Sequence, residues 1–462
     1  MKRFLMLLFV VALAFCLCGC DSGSEASDSL ETVEVIEPDY RQIYYDAVKK
    51  TVSETRYGYD VSISDMMIYP DGENVIAKNG HVELNGSECT AVFNDGGRNI
   101  NLSYFDGYIY SDESGGNFKA PMEKAEFDGY LESRLYSVVG VDFAGVFGTE
   151  NDDGTYTVSF NGVQNTPETL AEHFQKLGMS DVVLRGISGK AEIDKNGYIT
   201  KRTVTAQLSM NEADAAIKCT YSAEVNYVIG GERAMARKSD DNFIEVDDIN
   251  TPMLIKGAYE NILGHSYNAS YETLYEYAEG EKEYSMELNY SQSVKELPVG
   301  FEAFDETVIR YDTVKSGRTV EKSSEYSTGE REIADDSAYY TEEMTDASAR
   351  SVYYQMLMDY EPDMKLIKNI GIKDMGNYFE IEYEYAEENA MLYCQNVLTA
   401  LVNDQEGIAV HSEDHTIESA LSTMRIDKAS GVLMAHEIDI IASFNDGENS
   451  FTVGFEHVLR VS

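Results

Sequence analysis

The chain has 462 residues, with 82 Asp and Glu against 36 Lys and Arg, a formal net charge of −46. That balance excludes nucleic acid as a partner, because phosphate binding needs a basic footprint, and it sets the surface against anionic lipid headgroups. Apolar residues are 43% of the chain, too many for a disordered polyanion, and with no Trp the large aromatic surface comes from 33 Tyr and 18 Phe.

Lys2 and Arg3 precede an unbroken apolar run, Phe4 to Phe15, FLMLLFVVALAF. A bilayer-spanning helix takes about 20 apolar residues; this run has the length of a secretory h-region. Leu17-Cys18-Gly19-Cys20 closes it and resembles a bacterial lipobox. The resemblance implies that residues 1–19 are a lipoprotein signal peptide, cut after Gly19, and that the Cys20 thiol carries a diacylglyceryl group with palmitate-type chains. Two acyl chains anchor a protein stably where one does not. Residues 20–38 are then the lipidated Cys and a flexible acidic linker, about 20–25 Å long as a coil. This predicts a protein on the outer face of the cytoplasmic membrane, attached through its N-terminal acyl anchor.

Residues 39–237 form the first predicted domain. A helix is expected over Tyr40 to Thr55, then Tyr-rich strands that include Leu102 to Tyr110. Asn151-Asp152-Asp153-Gly154 has the composition of a tight turn and leads into a strand in which Tyr156, Val158 and Phe160 alternate with polar residues. Thr166, Pro167 and Gly178 bracket a helix whose stripe is Leu170, Phe174 and Leu177. Lys190 to Met210, KAEIDKNGYITKRTVTAQLSM, is a hairpin turning at Asp194-Lys195-Asn196-Gly197. On its second strand Val204, Ala206, Leu208 and Met210 form one apolar face. Tyr221 to Tyr227 is the last strand. The acidic stretch Lys238 to Asn250, KSDDNFIEVDDIN, reads as the linker.

Residues 252–462 form the second domain. A helix is expected from roughly Pro252 to Leu263, and a strand over Tyr284 to Tyr290; Glu296 to Arg331 reads as hairpins and loops. In GNYFEIEYEY the residues Tyr378, Glu380 and Glu382 hold the places of Tyr156, Val158 and Phe160, but the apolar set is Phe379, Ile381 and Tyr383, so a register shift of one is expected. The helical AEENAMLYCQNVLTALV has Met391, Cys394, Leu398 and Leu401 on one face. Met424 to Phe444, MRIDKASGVLMAHEIDIIASF, repeats the Ile-Asp-Lys hairpin with a turn one residue longer, and its apolar face carries Ile438, Ile440, Ala442 and Phe444. Phe451 to His457 matches Tyr221 to Tyr227.

The chain therefore reads as a duplication, each copy running helix, strands, helix, then strands joined by short turns. The absence of βαβ alternation predicts antiparallel sheets. The lipobox, the acidic spacer and the strand–helix–hairpin unit with Ile-Asp-Lys resemble the LolA-like superfamily of extracytoplasmic lipoproteins and lipoprotein carriers. The resemblance implies an α+β fold of two tandem curved antiparallel sheets, or half-barrels, each with helices packed on one face. It also implies a binding face for a lipid or other hydrophobic ligand, lined by Tyr156, Val158, Phe160, Val204, Ala206, Leu208, Ile438 and Ile440. The alternative is a structural or interaction lipoprotein with no small-molecule ligand. A carrier leaves an apolar cavity beside that face, whereas an interaction protein fills it.

Nothing else in the sequence announces chemistry. Beyond the signal and Cys20 there remain Cys89, Cys219 and Cys394, an odd number; Cys394 reads as a buried hydrophobe, and a Cys89–Cys219 bridge is left open. His411 and His415 have a spacing found in some zinc sites, but no second ligand pair lies near and a solvated acidic loop is expected. His173 is expected to be a half-exposed packing residue. No phosphate loop, nucleophile elbow, zincin helix or dinucleotide fingerprint occurs, so no enzyme activity, metal or cofactor is expected.

Overall fold

A computed structural model describes residues 38–70, 72–95, 97–135, 143–162, 166–176, 179–212, 215–230, 242–297, 299–311, 319–335, 338–402, 415–445 and 450–462. The predicted signal segment, Cys20, most of the acidic spacer, Leu177, Gly178 and His411 lie outside these residues.

The first half opens with α1 (Tyr40–Val52) and six strands, β1 (Arg56–Tyr69), β2 (Gly72–Asn85), β3 (Glu88–Asp95), β4 (Arg98–Phe105), β5 (Tyr108–Ser111) and β6 (Phe118–Pro121). It continues through α2 (Lys124–Leu135), β7 (Gly145–Glu150), β8 (Tyr156–Asn161) and α3 (Glu168–Lys176). It closes with β9 (Ser180–Ile193), β10 (Ile199–Glu212) and β11 (Ala215–Ile229), followed by the two-residue β12 (Ile244–Glu245).

The second half has the same order. It begins with α4 (Asn250–Glu260), β13 (Tyr267–Glu279), β14 (Lys282–Glu296), β15 (Phe301–Tyr311), β16 (Val320–Ser327), β17 (Glu330–Asp335) and β18 (Tyr339–Glu343). Then come α5 (Asp346–Met358), β19 (Ile367–Asp374), β20 (Tyr378–Tyr385), α6 (Glu387–Val402), β21 (His415–Asp427), β22 (Leu433–Asn445) and β23 (Ser450–Val461).

The described residues are thus mainly β, with six helices and two large sheets among them. The first sheet is ordered β12-β6-β5-β4-β3-β2-β1-β11-β10-β9-β8-β7, and the second β18-β17-β16-β15-β14-β13-β23-β22-β21-β20-β19. Apart from β12 the two orders are the same, strand for strand. Every pairing is antiparallel except β12 on β6. Neither sheet closes on itself, since each order ends in two different strands.

The repeat extends to the irregularities. In the first hairpin the register slips between Ile199 and Lys201 and again between Gln207 and Leu208. In the second it slips between Arg425 and Ile426, opposite Ala435 and Leu433, and between Ile417 and Ser419, opposite Ala442 and Ile441. Counted from Gly197 and Gly431, the turn glycines at φ +80° and +69°, these are the same two positions. A β-bulge bends a strand at a defined place, so both copies bend at these two positions, and the first slips once more between Ser209 and Asn211. The pairing also fixes the shifted register: Tyr156 lies opposite Ile193, and Phe379, not Tyr378, lies opposite the matching Ile426.

Several elements differ from the sequence reading. Leu102 to Tyr110 is a hairpin, because Asp106 and Gly107 both take positive φ and turn the chain between β4 and β5. Part of the expected linker is structured. The apolar residues in KSDDNFIEVDDIN dock on the first sheet: Phe243 meets Tyr110 edge-on at 5.1 Å, Ile244 and Val246 donate to the carbonyls of Asn117 and Lys119, and Val246 and Ile249 are buried. Two helices went unread although their stripes are regular: Phe127, Leu131 and Leu135 on α2, and Ala349, Tyr353 and Leu357 on α5. α5 starts at Thr345, whose hydroxyl accepts from the Ser348 amide at 3.2 Å. Thr345→Ala is expected to cost about 1 kcal/mol, read as a lower urea midpoint with an unchanged slope.

Helix contacts are specific. α1 lies against β7, β9 and β10, α3 against β9, α5 against β15, and α6 against β13, β22 and β23. On α6 the buried side chains are Ala390, Cys394, Val397 and Leu398, while Met391 and Leu401 sit at the margin of the core. Tyrosine fills much of the interior: Tyr44, Tyr221, Tyr259, Tyr326, Tyr353, Tyr383 and Tyr385 are among its largest fully buried side chains.

Candidate functional site

The eight residues predicted to face a ligand are on the inward side of their strands, but protein covers them. Val158, Phe160, Val204, Ala206, Leu208, Ile438 and Ile440 are all buried, and Tyr156 is half-buried against the same core. Side chains from the helices, including Tyr44, Leu170 and Phe174, share that core. Two surface cavities among the described residues lie away from these eight: one of about 450 Å³ is lined by Asp60, Asn79, His81 and Asn99 together with Val61 and Phe93, and one of about 400 Å³ by Lys368, Glu384, His415 and Glu418.

The inward face of β10 carries a residue the sequence reading passed over. Arg202 is in phase with Val204, Ala206 and Leu208 and is 2% exposed. It sits on the sheet between Ala191 of β9 and Val225 of β11. Its guanidinium carbon is 6.0 Å from the centre of the Phe160 ring. Phe160 packs on Phe143 at 4.1 Å and on Tyr44 of α1 at 5.1 Å. Burial pushes the phenols of Tyr44 and Tyr227 above their ordinary range, and the adjacent Arg202 charge pulls both back. Two of the guanidinium nitrogens, Nε and Nη2, have no hydrogen-bond partner among the described residues. Buried polar atoms are nearly always partnered, and an unpaired buried charge is among the most unfavourable groups a core can hold.

The second copy holds His436 at the same place. It lies in the same position relative to the turn glycine and first bulge, between Met424 of β21 and Leu459 of β23. Here every need is met. Tyr259 of α4 contacts Nδ1 at 2.6 Å and also donates to the Tyr360 carbonyl at 3.1 Å. Ser422 and Tyr383 hydroxyls reach Nε2 at 2.6 and 2.9 Å. These partners assign a neutral ring with Nδ1–H donating to Tyr259 and Nε2 accepting. Burial lowers the His436 pKa to about 3. His457, stacked on Tyr360 at 3.7 Å and bonded through Nδ1 to Thr273, is lowered to about 3 by burial and by the neighbouring His436.

Other candidates resolve more simply. His173 is largely buried, and its Nε2 lies 3.1 Å from Oδ2 of the buried Asp65 on β1. It packs on Phe174 at the margin of the core and also contacts a core carboxylate. His415 pairs with Glu387 at the start of α6. Cys89, Cys219 and Cys394 are free and buried, their thiols pushed up to about 12, 12 and 11 by burial, which leaves them unreactive. The open Cys89–Cys219 bridge is absent. No cluster of metal-capable side chains occurs among the described residues, and none of the helices there is long and apolar enough to cross a membrane.

The in-phase ionisable residue was legible in both hairpins, at KRTV and AHEI, as a break in an otherwise apolar face. What could not be read was that His436 is fully partnered, whereas Arg202 keeps two nitrogens without partners among the described residues.

No family model matches the chain, and no curated protein does. Among solved structures it aligns with a provisionally described outer membrane protein of Bacteroides fragilis at 8% identity, over 86% of this chain and 95% of that one, with a TM-score of 0.14. A provisionally described AttH protein of Nitrosomonas europaea aligns at 9% identity over 87% and 92% with a TM-score of 0.11. Transferrin binding protein B of Haemophilus parasuis aligns at 7% over 88% and 76% with a TM-score of 0.12. Superpositions this poor define neither a shared fold nor a shared role, and the function has to be read from the side chains of this chain.

Proposed function

We propose that the chain is an extracytoplasmic lipoprotein held at the outer face of the cytoplasmic membrane by an acylated Cys20, and that it acts as a structural or interaction protein through its surface. The observation that carries this reading is the filled face: residues that a carrier would leave open, Val158, Phe160, Val204, Ala206 and Leu208 in one half and Ile438 and Ile440 in the other, are buried by protein. In this reading the two sheets are LolA-like half-barrels whose concave faces are occupied by their own helices. The repeated strand order and the seating of α3 on β9 and α6 on β22 and β23 support it. The tether is tested with Cys20→Ser: the wild type is expected in the membrane fraction with a diacylglyceryl mass on its N-terminal residue, and the variant is expected to leave that fraction. Wild-type material with an unmodified Cys20 would end the placement.

The second reading is a carrier of a lipid or other hydrophobic ligand, and one observation favours it: Arg202, a buried cation lacking partners for two nitrogens. Organic extraction of the purified chain followed by mass spectrometry separates the two readings. Stoichiometric lipid supports the carrier, and lipid-free protein supports the surface-acting role.

A further inference from the structure

We propose that Arg202 is the head of a buried carboxylate-binding site in the first sheet. The two unpartnered nitrogens are Nε and Nη2. They lie on one edge of the guanidinium and project parallel N–H bonds, the side-on fork that matches the two oxygens of a carboxylate. A core that needed only a cation at this position would not leave that edge bare.

The duplication supplies the control. At the matching place in the second sheet the fold is satisfied by a neutral, fully bonded His436, so the architecture itself does not call for a charge there. The Tyr44 and Tyr227 hydroxyls already accept from the Arg202 guanidinium, which fixes it on the sheet and leaves the Nε and Nη2 edge as the part without partners among the described residues. The rings of Tyr44, Phe143 and Phe160 pack on one another beside Arg202, and this buried packing has to loosen to admit an anion. Once in, the anion is out of water, where a charge-assisted pair is strong. The apolar residues Val204 and Ala206 continue inward from Arg202 along the same strand, so the carboxylate could belong to a small free acid or to an amphiphile. The site is shared with the carrier reading but stands without it.

The test uses the full-length chain in a nonionic detergent, melted in sodium acetate or sodium octanoate against sodium chloride at matched ionic strength. Acetate is expected to raise the wild-type Tm by about 3–5 °C at a hundredfold excess over Kd. Arg202→Met should abolish that rise, and its Tm in chloride should equal or exceed that of the wild type, because the substitution removes an unpaired buried charge. Arg202→Lys keeps the charge without the fork and should weaken binding about tenfold; it also serves as the readout if Arg202→Met does not fold. Octanoate binding tighter than acetate assigns an amphiphile to the site. Equal affinity assigns a small free acid and removes the carrier reading. A wild-type Tm that responds to neither salt, or a response that Arg202→Met retains, overturns the proposal.

Discussion

Lowering the pH from 7 to 5 is expected to destabilise the second half by about 4 kcal/mol, about 2 kcal/mol from each of His436 and His457. Both are held neutral by burial, with pKa values lowered to about 3, whereas an unfolded His titrates near 6.5. A depressed folded pKa gives stability that is fully present above the unfolded value and is lost as the pH falls, so the window runs from about 6.5 down to about 3. His81 works the other way. It lies between Asp60 and Glu83 at 2.6 and 3.0 Å, and these carboxylates raise its pKa against the opposing effect of burial. Its contribution is therefore present at low pH and lost as the pH rises through the folded pKa, which softens the acid loss. Urea unfolding of the wild type and of His457→Phe at pH 7 and pH 5 isolates the second-half effect. Phe keeps the stack on Tyr360 and cannot protonate, so about half of the acid loss should disappear. Equal losses in both proteins would show that His457 is not held neutral in the folded state.

Gly189→Ala is expected to be among the most destabilising single-methyl changes in the chain, on the order of 3 kcal/mol. Gly189 lies on β9 opposite Phe160 of β8. A Cβ there would come within 2.3 Å of the Phe160 ring and within 2.3 Å of the Thr203 carbonyl oxygen. The ring rests in the space the glycine leaves. Its position holds Phe143 and Tyr44 and walls the Arg202 site, so the substitution should also weaken any acetate response. Phe160→Leu in the Gly189→Ala background should recover part of the loss and not all, because the backbone carbonyl stays where it is. Full recovery, or a loss below about 1 kcal/mol, would mean that β8 and β9 can separate there at little cost.

How much of this was written in the sequence differs from element to element. The Ile-Asp-Lys hairpins were readable because period-two alternation and turn residues are local signals. The helix around Leu170 and Phe174 was readable from its flanking Thr166 and Pro167. α2 and α5 were missed beside Tyr-rich strands, although Phe127, Leu131 and Leu135 keep helical spacing. The docking of Ile244 on β6 was masked by the acidic residues around it. As for the candidate site, Val158, Phe160, Val204 and Ile438 were placed on the correct face, and only the structure showed that face occupied.

The sequence by itself determined the duplication, the alternating strands and the acidic charge, because each is encoded within short windows or by composition. Only the tertiary structure decided which strands are neighbours, that β1 and β11, and β13 and β23, pair in the middle of their sheets, and that the residues of the inward face are buried by protein. It alone separated Arg202 from His436. Both are ionisable residues in phase with an apolar face, and whether such a group is partnered depends on Tyr259, Ser422 and Tyr383 arriving from distant segments, which no local pattern specifies.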